Sequence, residues 1–330
     1  MYFAGKRYCF IVLILIALVL AVEGPECDAK QDSKYPNKTI TLISPWPAGT
    51  SNDNFTRAIA PQLQKEIGAP MEVITKPGGS GITGTLEVLK SPRDGYTLLI
   101  DSMGTSSIPM AWDKETPYRD NDRTYICRAV ALPLAIFVRG DAPWKTLLEV
   151  KDAIVRDPAS FRWPSCGITI GEVPMAFFRA ELKAKGVDLA KVKIVPFQGG
   201  AQALTALAGG HADMYAATLA ASGSFLSAGK IKALAVTSPQ PIDTFKGVPT
   251  TAEQGYPKIL AQYWIGFSGP PGLPAHVVQK WSEAIKVILG RPENKPLFEK
   301  LGTIPSYIAG EDFKKFVIQE IANIKASSLK

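Results

Sequence analysis

From residue 39 to residue 105 the chain alternates short, largely apolar runs with amphipathic stretches, and few folds accept that order. Thr39–Ser44 reads as a strand. The next stretch sets Phe55, Ile59 and Leu63 on one stripe and predicts a helix over Asn54–Ile67. Strand Met71–Thr75 leads through Pro77-Gly78-Gly79-Ser80-Gly81 to a short helix carrying Ile82, Leu86 and Leu89. Strand Tyr96–Ile100 then ends at Asp101-Ser102-Met103-Gly104-Thr105. Runs without polar alternation fit strands covered on both faces. A β-α-β-α-β order implies a parallel sheet with right-handed crossovers. The loops after its three strands open at one carboxyl edge, where open α/β sheets bind ligands.

A second alternating set follows an apolar run, Ala129–Val138, broken by Pro133. Trp144–Val155, Pro174–Ala184 and Ala201–Ala208 read as helices. Phe161–Ser165, Lys193–Phe197, Met214–Thr218 and Ala233–Thr237 read as strands. Tyr263–Ser268 is a late strand, and Pro274 opens a helix with Val277, Val278, Trp281, Ile285 and Ile288. A last helix carries Phe313, Phe316, Val317, Ile321 and Ile324. The 330 residues suffice for two domains. Two βα sets joined by long strand-like runs predict an α/β protein of two lobes with a cleft. Residues 30–135 plus 262–330 form the expected lobe 1 and residues 136–261 lobe 2. The crossing segments near Leu132 and Tyr263 are the expected hinge.

The N-terminus reads as an export signal over residues 1–29. Lys6 and Arg7 precede an uncharged run, Cys9–Val22. That run is short for a membrane span, which takes about 20 residues. Removing residues 1–29 takes away two of the 37 basic and three of the 30 acidic residues, so the remainder stays net positive. Such a balance attracts small anions. The charge is spread along the chain without a basic block, which argues against nucleic acid as a partner. Cys127 and Cys166 read as buried small hydrophobes rather than as a bridge.

The first loop, Pro45-Trp46-Pro47-Ala48-Gly49-Thr50-Ser51-Asn52-Asp53, has no ionisable side chain before Asp53. Its small residues let backbone N–H groups approach a bound group. The helix that follows adds orphan donors and a positive dipole end, so an anion fits there without a Lys or Arg. Trp46, fixed by a proline on each side, is a candidate pocket wall. Enzymatic machinery is sparse. The two histidines, His211 and His276, have no metal-ligand spacing, and neither a G-x-S-x-G elbow nor a Walker A segment occurs. The reading therefore calls for no cofactor and no metal. One match stands apart: Gly79-Ser80-Gly81-Ile82-Thr83-Gly84 fits G-x-G-x-x-G, with Asp101 about 20 residues on. It keeps an NAD-dependent oxidoreductase open as the alternative, beside glycines that merely serve a tight turn and close packing.

Taken in order, these loops resemble a known family. Pro45–Asp53 is followed by Lys76-Pro77-Gly78-Gly79-Ser80-Gly81-Ile82-Thr83-Gly84, then by Pro92-Arg93-Asp94-Gly95-Tyr96-Thr97-Leu98 and Ser102-Met103-Gly104-Thr105. The series is similar to the solute-binding receptors of tripartite tricarboxylate transporters, the Bordetella uptake gene family. Val195-Pro196-Phe197-Gln198-Gly199-Gly200 and Gly266–Pro274 resemble its later segments. The likeness implies a periplasmic, monomeric, two-lobed binding protein of the type II, flytrap-like fold. Such a receptor closes on a small carboxylate and serves membrane transporter subunits. An extracytoplasmic sensor would use the same pocket. The likeness points to Ala48, Gly49, Thr50, Ser51 and Asp53 in the first loop as the carboxylate site. The next two loops add Ser80, Gly81, Thr83, Ser102, Gly104 and Thr105, and the second lobe adds Thr169, Gly171, Gly199 and Gly200.

The chain departs from that family at three places. Thr50 stands where a second glycine is common. Phe197-Gln198 replaces a Tyr-Lys pair and removes a cation. Glu172-Val173-Pro174-Met175 replaces a stretch that usually holds Ser and His. A Glu172 facing the cleft would repel a second carboxylate or pair with an amine. With these changes a monocarboxylate, a zwitterion or an aromatic acid fits at least as well as a di- or tricarboxylate.

Overall fold

The computed structural model describes residues 35–166, 169–197 and 199–327, and the expected export signal lies outside the described residues. In chain order the elements begin with β1 (Ile40–Ser44), α1 (Ser51–Ile67), β2 (Met71–Thr75), α2 (Ile82–Leu89), β3 (Thr97–Ser102), α3 (Ser107–Trp112) and β4 (Thr124–Arg139). There follow α4 (Leu147–Arg156), β5 (Arg162–Ser165), α5 (Glu172–Ala184), β6 (Lys193–Pro196), α6 (Gly200–Ala208), β7 (Met214–Thr218), α7 (Leu219–Ser227) and β8 (Ile231–Val236). The chain ends with β9 (Gln262–Gly269), α8 (Ala275–Gly290), α9 (Lys295–Lys300), β10 (Ile304–Ala309) and α10 (Gly310–Ser327). Sequence periodicity misses α3, α7, α9 and β10. The three helices are one to two and a half turns long, too short for a stripe to stand out.

The first βα pairs fold as their pattern dictates. β1 pairs in parallel with β2 on one side and β3 on the other. Phe55, Ile59, Leu63 and Ile67 of α1 are buried. The helix ends at Gly68, whose left-handed φ of 83° lets its N–H reach the Gln64 carbonyl. β3 runs two residues past its expected end and takes in Asp101 and Ser102.

The rest of the main sheet is antiparallel, which the βα pattern does not reveal. β9 inserts between β3 and β4, and β10 pairs on the far side of β4. β4 runs unbroken through Pro133, where an interruption is expected, and is buried almost throughout. Its first half, as far as Pro133, pairs with β9, and its second half, Leu134–Arg139, pairs with β7 and β8. Proline lacks a ladder donor, and here it sits where one set of partners gives way to the other. Leu132 lies opposite Tyr263 at this changeover. The Thr237 hydroxyl donates at the same level, within reach of the Leu134 and Ala261 carbonyls. β5 and β6 form a separate parallel pair.

Aromatic clusters hold the two regions. Trp264 meets Phe313 edge to face at 5.0 Å, and Phe313 meets Tyr125 at 5.3 Å. Beyond the changeover, Trp163 stacks on Phe178 at 6.0 Å and Phe178 meets Tyr256 edge to face at 5.2 Å. Such pairs add about 0.5–1.5 kcal/mol each beyond the area they bury.

Candidate functional site

A cavity of about 260 Å³ opens where the loops after β1 and β3 face residues 169–170 and the end of β7. Trp46, Thr50, Ser51, Asn52, Gly104 and Ile108 line one wall; Thr169, Ile170, Thr218 and Tyr263 complete it. It shares Thr169, Ile170 and Thr218 with a second cavity of about 320 Å³, lined also by Gly171, Gly200 and Tyr215. Of the residues expected from sequence, Trp46, Thr50, Ser51, Gly104 and Thr169 thus meet in the first cavity, and Gly171 and Gly200 in the second. Ala48, Gly49, Ser80 and Thr83 are exposed and line neither. Gly199 precedes α6 as its cap.

The first loop is held from inside. Asp53 is buried, and its carboxylate accepts from the Gly49 N–H at 2.9 Å and from Arg57 Nε at 2.8 Å. Its charge is therefore spent on shaping the loop. Gly49 adopts the left-handed φ of 81° that this turn requires. The Thr50 hydroxyl donates to the Pro47 carbonyl at 2.9 Å and caps no helix amide. Asn54 is the first amide of α1 to find a helical partner, Thr50 O. The amides ahead of it at the helix start keep their orphan character and the positive dipole end.

Trp46 ties the three loops together. The benzo edge of its indole packs against two glycines: a Cβ on Gly104 would fall 2.8 Å from the ring and one on Gly81 3.4 Å from it. Its Nε1–H points at Ser102 Oγ, 3.4 Å away. Beneath it Asp101 forms the hub of the third loop. Oδ1 accepts from the Ser102 amide and from the Thr105 and Ser106 hydroxyls at 2.8–2.9 Å. Oδ2 accepts from Ser268 Oγ and from Arg123 Nη1, each at 2.8 Å. Neither Asp101 nor Arg123 has exposed side-chain surface. Burial works against the Arg123 charge, but the Asp101 carboxylate together with Tyr125 and Tyr118 holds the guanidinium above its ordinary value. Ser102 and Thr105 are buried with them as structural members of the loop.

This arrangement removes the dinucleotide reading. Asp101 has no free oxygen for a ribose. The Gly81 and Thr83 amides turn back to the Gly78 carbonyl instead of facing outward. Gly79, Ser80 and Gly81 all take left-handed φ values in a tight turn. A Cβ on Gly84 would strike the Lys76 carbonyl at 2.8 Å, so that glycine serves close helix–strand packing.

Asn52, absent from the expected set, is the most telling group in the first cavity. It is 2% exposed, and its Oδ1 accepts from Tyr263 Oη at 2.7 Å. Its Nδ2 is buried without a hydrogen-bond partner in the protein. Leaving a buried donor unpaired costs about 1–3 kcal/mol. Burial pushes the Tyr263 phenol up to about 12, so it stays a neutral donor to Asn52. Sequence gave a faint signal for Asn52, a polar side chain one residue inside the helix start. It gave none for Tyr263, which arrives from β9, 211 residues away.

On the second side, Glu172 does not face the ligand space as a free charge. It is buried at the start of α5, ion-paired with Arg179, and accepts from the Cys166 amide at 3.3 Å. Gly171 allows α5 to start against β7, since a Cβ there would lie 2.2 Å from the Ala216 carbonyl. Thr169 Oγ1 and Tyr215 Oη are 3.4 Å apart. Cys127 and Cys166 are both buried and free, and burial pushes both thiols up.

Comparison with known proteins places this architecture among the periplasmic binding proteins. A TctC solute-binding protein from Polaromonas superposes with a TM-score of 0.74 at 29% identity, over 89% of this chain and 99% of its own. An R. palustris protein solved with adipate gives 0.75 at 25% identity, over 89% and 98%. Protein BugT of Bordetella pertussis is 28% identical over 322 residues, 94% of each chain. Residues 55–327 match the model of the tripartite tricarboxylate transporter family receptor, and the chain belongs to that family. It is a solute-binding receptor and not an enzyme.

Proposed function

We propose that the protein is a periplasmic receptor that captures a small organic carboxylate as a monomer and delivers it to a tripartite tricarboxylate-type membrane transporter. The observation that carries this reading is the unpartnered Asn52 amide, buried at the start of α1 in a cavity with hydroxyl-bearing walls. A carboxylate there would accept from Asn52 Nδ2 and from the orphan amides of the helix. Adipate in the R. palustris relative supports the ligand class. No helix among the described residues is long and apolar enough to cross a membrane. In this reading residues 30–135 plus 262–330 form one lobe and 136–261 the other, with closure about the Leu132–Tyr263 crossing.

Titration of the purified protein with mono-, di- and aromatic carboxylates by calorimetry tests the reading; binding of none of them would refute it. Asn52→Asp retains an acceptor for Tyr263 and suits a helix start, but sets a negative charge against the ligand. Its expected effect is a rise in Kd of roughly tenfold or more, at least about 1.4 kcal/mol, with a lower melting temperature of the free protein because the new carboxylate is buried. Gly104→Ala drives the Trp46 indole toward the cavity, an overpacking cost of about 1–3 kcal/mol, and is expected to weaken the same ligand. An unaltered affinity would remove Trp46 from the site.

A further inference from the structure

A groove of about 540 Å³ lies apart from both cavities and shares no lining residue with them. One wall is Pro241-Ile242-Asp243, which follows β8. The other holds Leu289 of α8, Phe298 of α9 and Ile304 of β10. In the two-lobed reading the first wall belongs to residues 136–261 and the second to residues 262–330. Strand pairing puts this groove across the hinge from the ligand cleft. In the first lobe β9 and β10 pair with opposite edges of β4. β3, whose loop lines the cleft, lies beyond β9, while β10 lines the groove. In the second lobe β7 and β8 both pair with residues 135–138 and so take opposite edges of β4. β7 ends at Thr218 in the cleft wall, and β8 leads to Pro241 in the groove wall. Each lobe thus presents the cleft on one side of the crossing segments and the groove on the other. A rotation about the crossing that draws the cleft walls together moves the groove walls apart. Among the described residues no hydrogen bond or ion pair joins the two groove walls, so their separation can change without breaking a polar contact. Arg291, in the first-lobe wall, is instead held by Gln62 and Glu66 of α1.

We infer that this groove sets the affinity of the receptor from a distance: its walls must approach for the cleft to open, so side chains that fill it favour the closed, ligand-holding state. The inference rests on the two-lobed receptor reading above. When only a fraction of the molecules is closed, the apparent Kd is the intrinsic one divided by that fraction, so bulk in the groove raises affinity without touching the ligand. Ile304→Trp and Pro241→Trp fill the groove from opposite walls, and both residues are exposed, so neither change replaces core packing. Small-angle X-ray scattering of the ligand-free proteins reads their shape directly. Both variants are expected to show a smaller radius of gyration than the wild type. Ile318→Trp, at an exposed position on α10 outside the groove, is expected to match the wild type. In calorimetric titration with adipate and with benzoate, either probe that binds the wild type is expected to bind both groove variants at least about threefold tighter. Unchanged or larger dimensions in both groove variants, unchanged or weaker binding in both, or an equal effect of Ile318→Trp would overturn the inference and leave the receptor reading intact. The scattering arm needs no ligand, so it decides the inference even where failure of every carboxylate to bind overturns the receptor reading.

Discussion

Asp101→Asn is expected to lower the unfolding free energy by about 3–5 kcal/mol. The substitution is nearly isosteric, so the loss is electrostatic rather than a cavity effect. It strands the Arg123 guanidinium, which has no exposed side-chain surface, without its counter-charge. It also replaces an oxygen that accepts from protein donors with a group that donates. Urea denaturation followed by tryptophan fluorescence measures the effect. Arg123→Met combined with Asp101→Leu removes both charges and is expected to recover a large part of the loss, as uncharged replacements of buried pairs do. A cost below about 1 kcal/mol for Asp101→Asn would show that the pair is solvated. The third loop depends on this hub, so surviving Asp101→Asn protein is also expected to bind ligand less tightly.

The second large effect concerns pH. Glu320 on α10 accepts from Trp264 Nε1 at 2.8 Å beneath the central sheet. Burial pushes its carboxyl up to about 7, and the hydrogen bonds of Ser107 and Trp264 and the Arg128 charge pull it only partway back. The folded state therefore holds a proton that the unfolded chain releases near pH 4.3. The contribution of this group is fully present below about pH 4.5 and is lost as pH rises through about 7. Because the residue keeps some exposed surface, the whole change is on the order of 1–3 kcal/mol. Glu320→Gln keeps an acceptor for the indole and removes the ionisation. It is expected to match the wild type near pH 4 and to exceed it in stability at pH 8, with the gap opening between those values. Parallel stability curves for the two proteins would refute the assignment.

Much of the fold was legible because it is written locally. The stripe of Phe55, Ile59 and Leu63 needs only its own helix and an apolar neighbour, and the parallel β1–β3 core follows from βα order. The antiparallel half was not legible. β9 lies between β3 and β4 although more than 120 residues separate β4 from it in sequence, and no local period encodes such a partner. The site divides the same way. Sequence singled out the loops after β1 and β3, because strand ends and glycines mark them. It did not distinguish the residues that line the cavity from those buried within the loops, among them Ser102, Thr105 and Asp53.

By itself, then, the sequence determined a βα scaffold with a candidate site at its carboxyl edge and a helix start, since hydrophobic period, strand order and helix polarity are properties of short segments. Only the tertiary structure decided the charge of that site. A carboxylate is available to a ligand or consumed by the protein according to which donors fold against it, and here Arg57, Arg123 and Arg179 took Asp53, Asp101 and Glu172. The same contacts left Asn52 with one hydrogen-bonding group satisfied by a distant tyrosine and the other unpaired at the cavity wall.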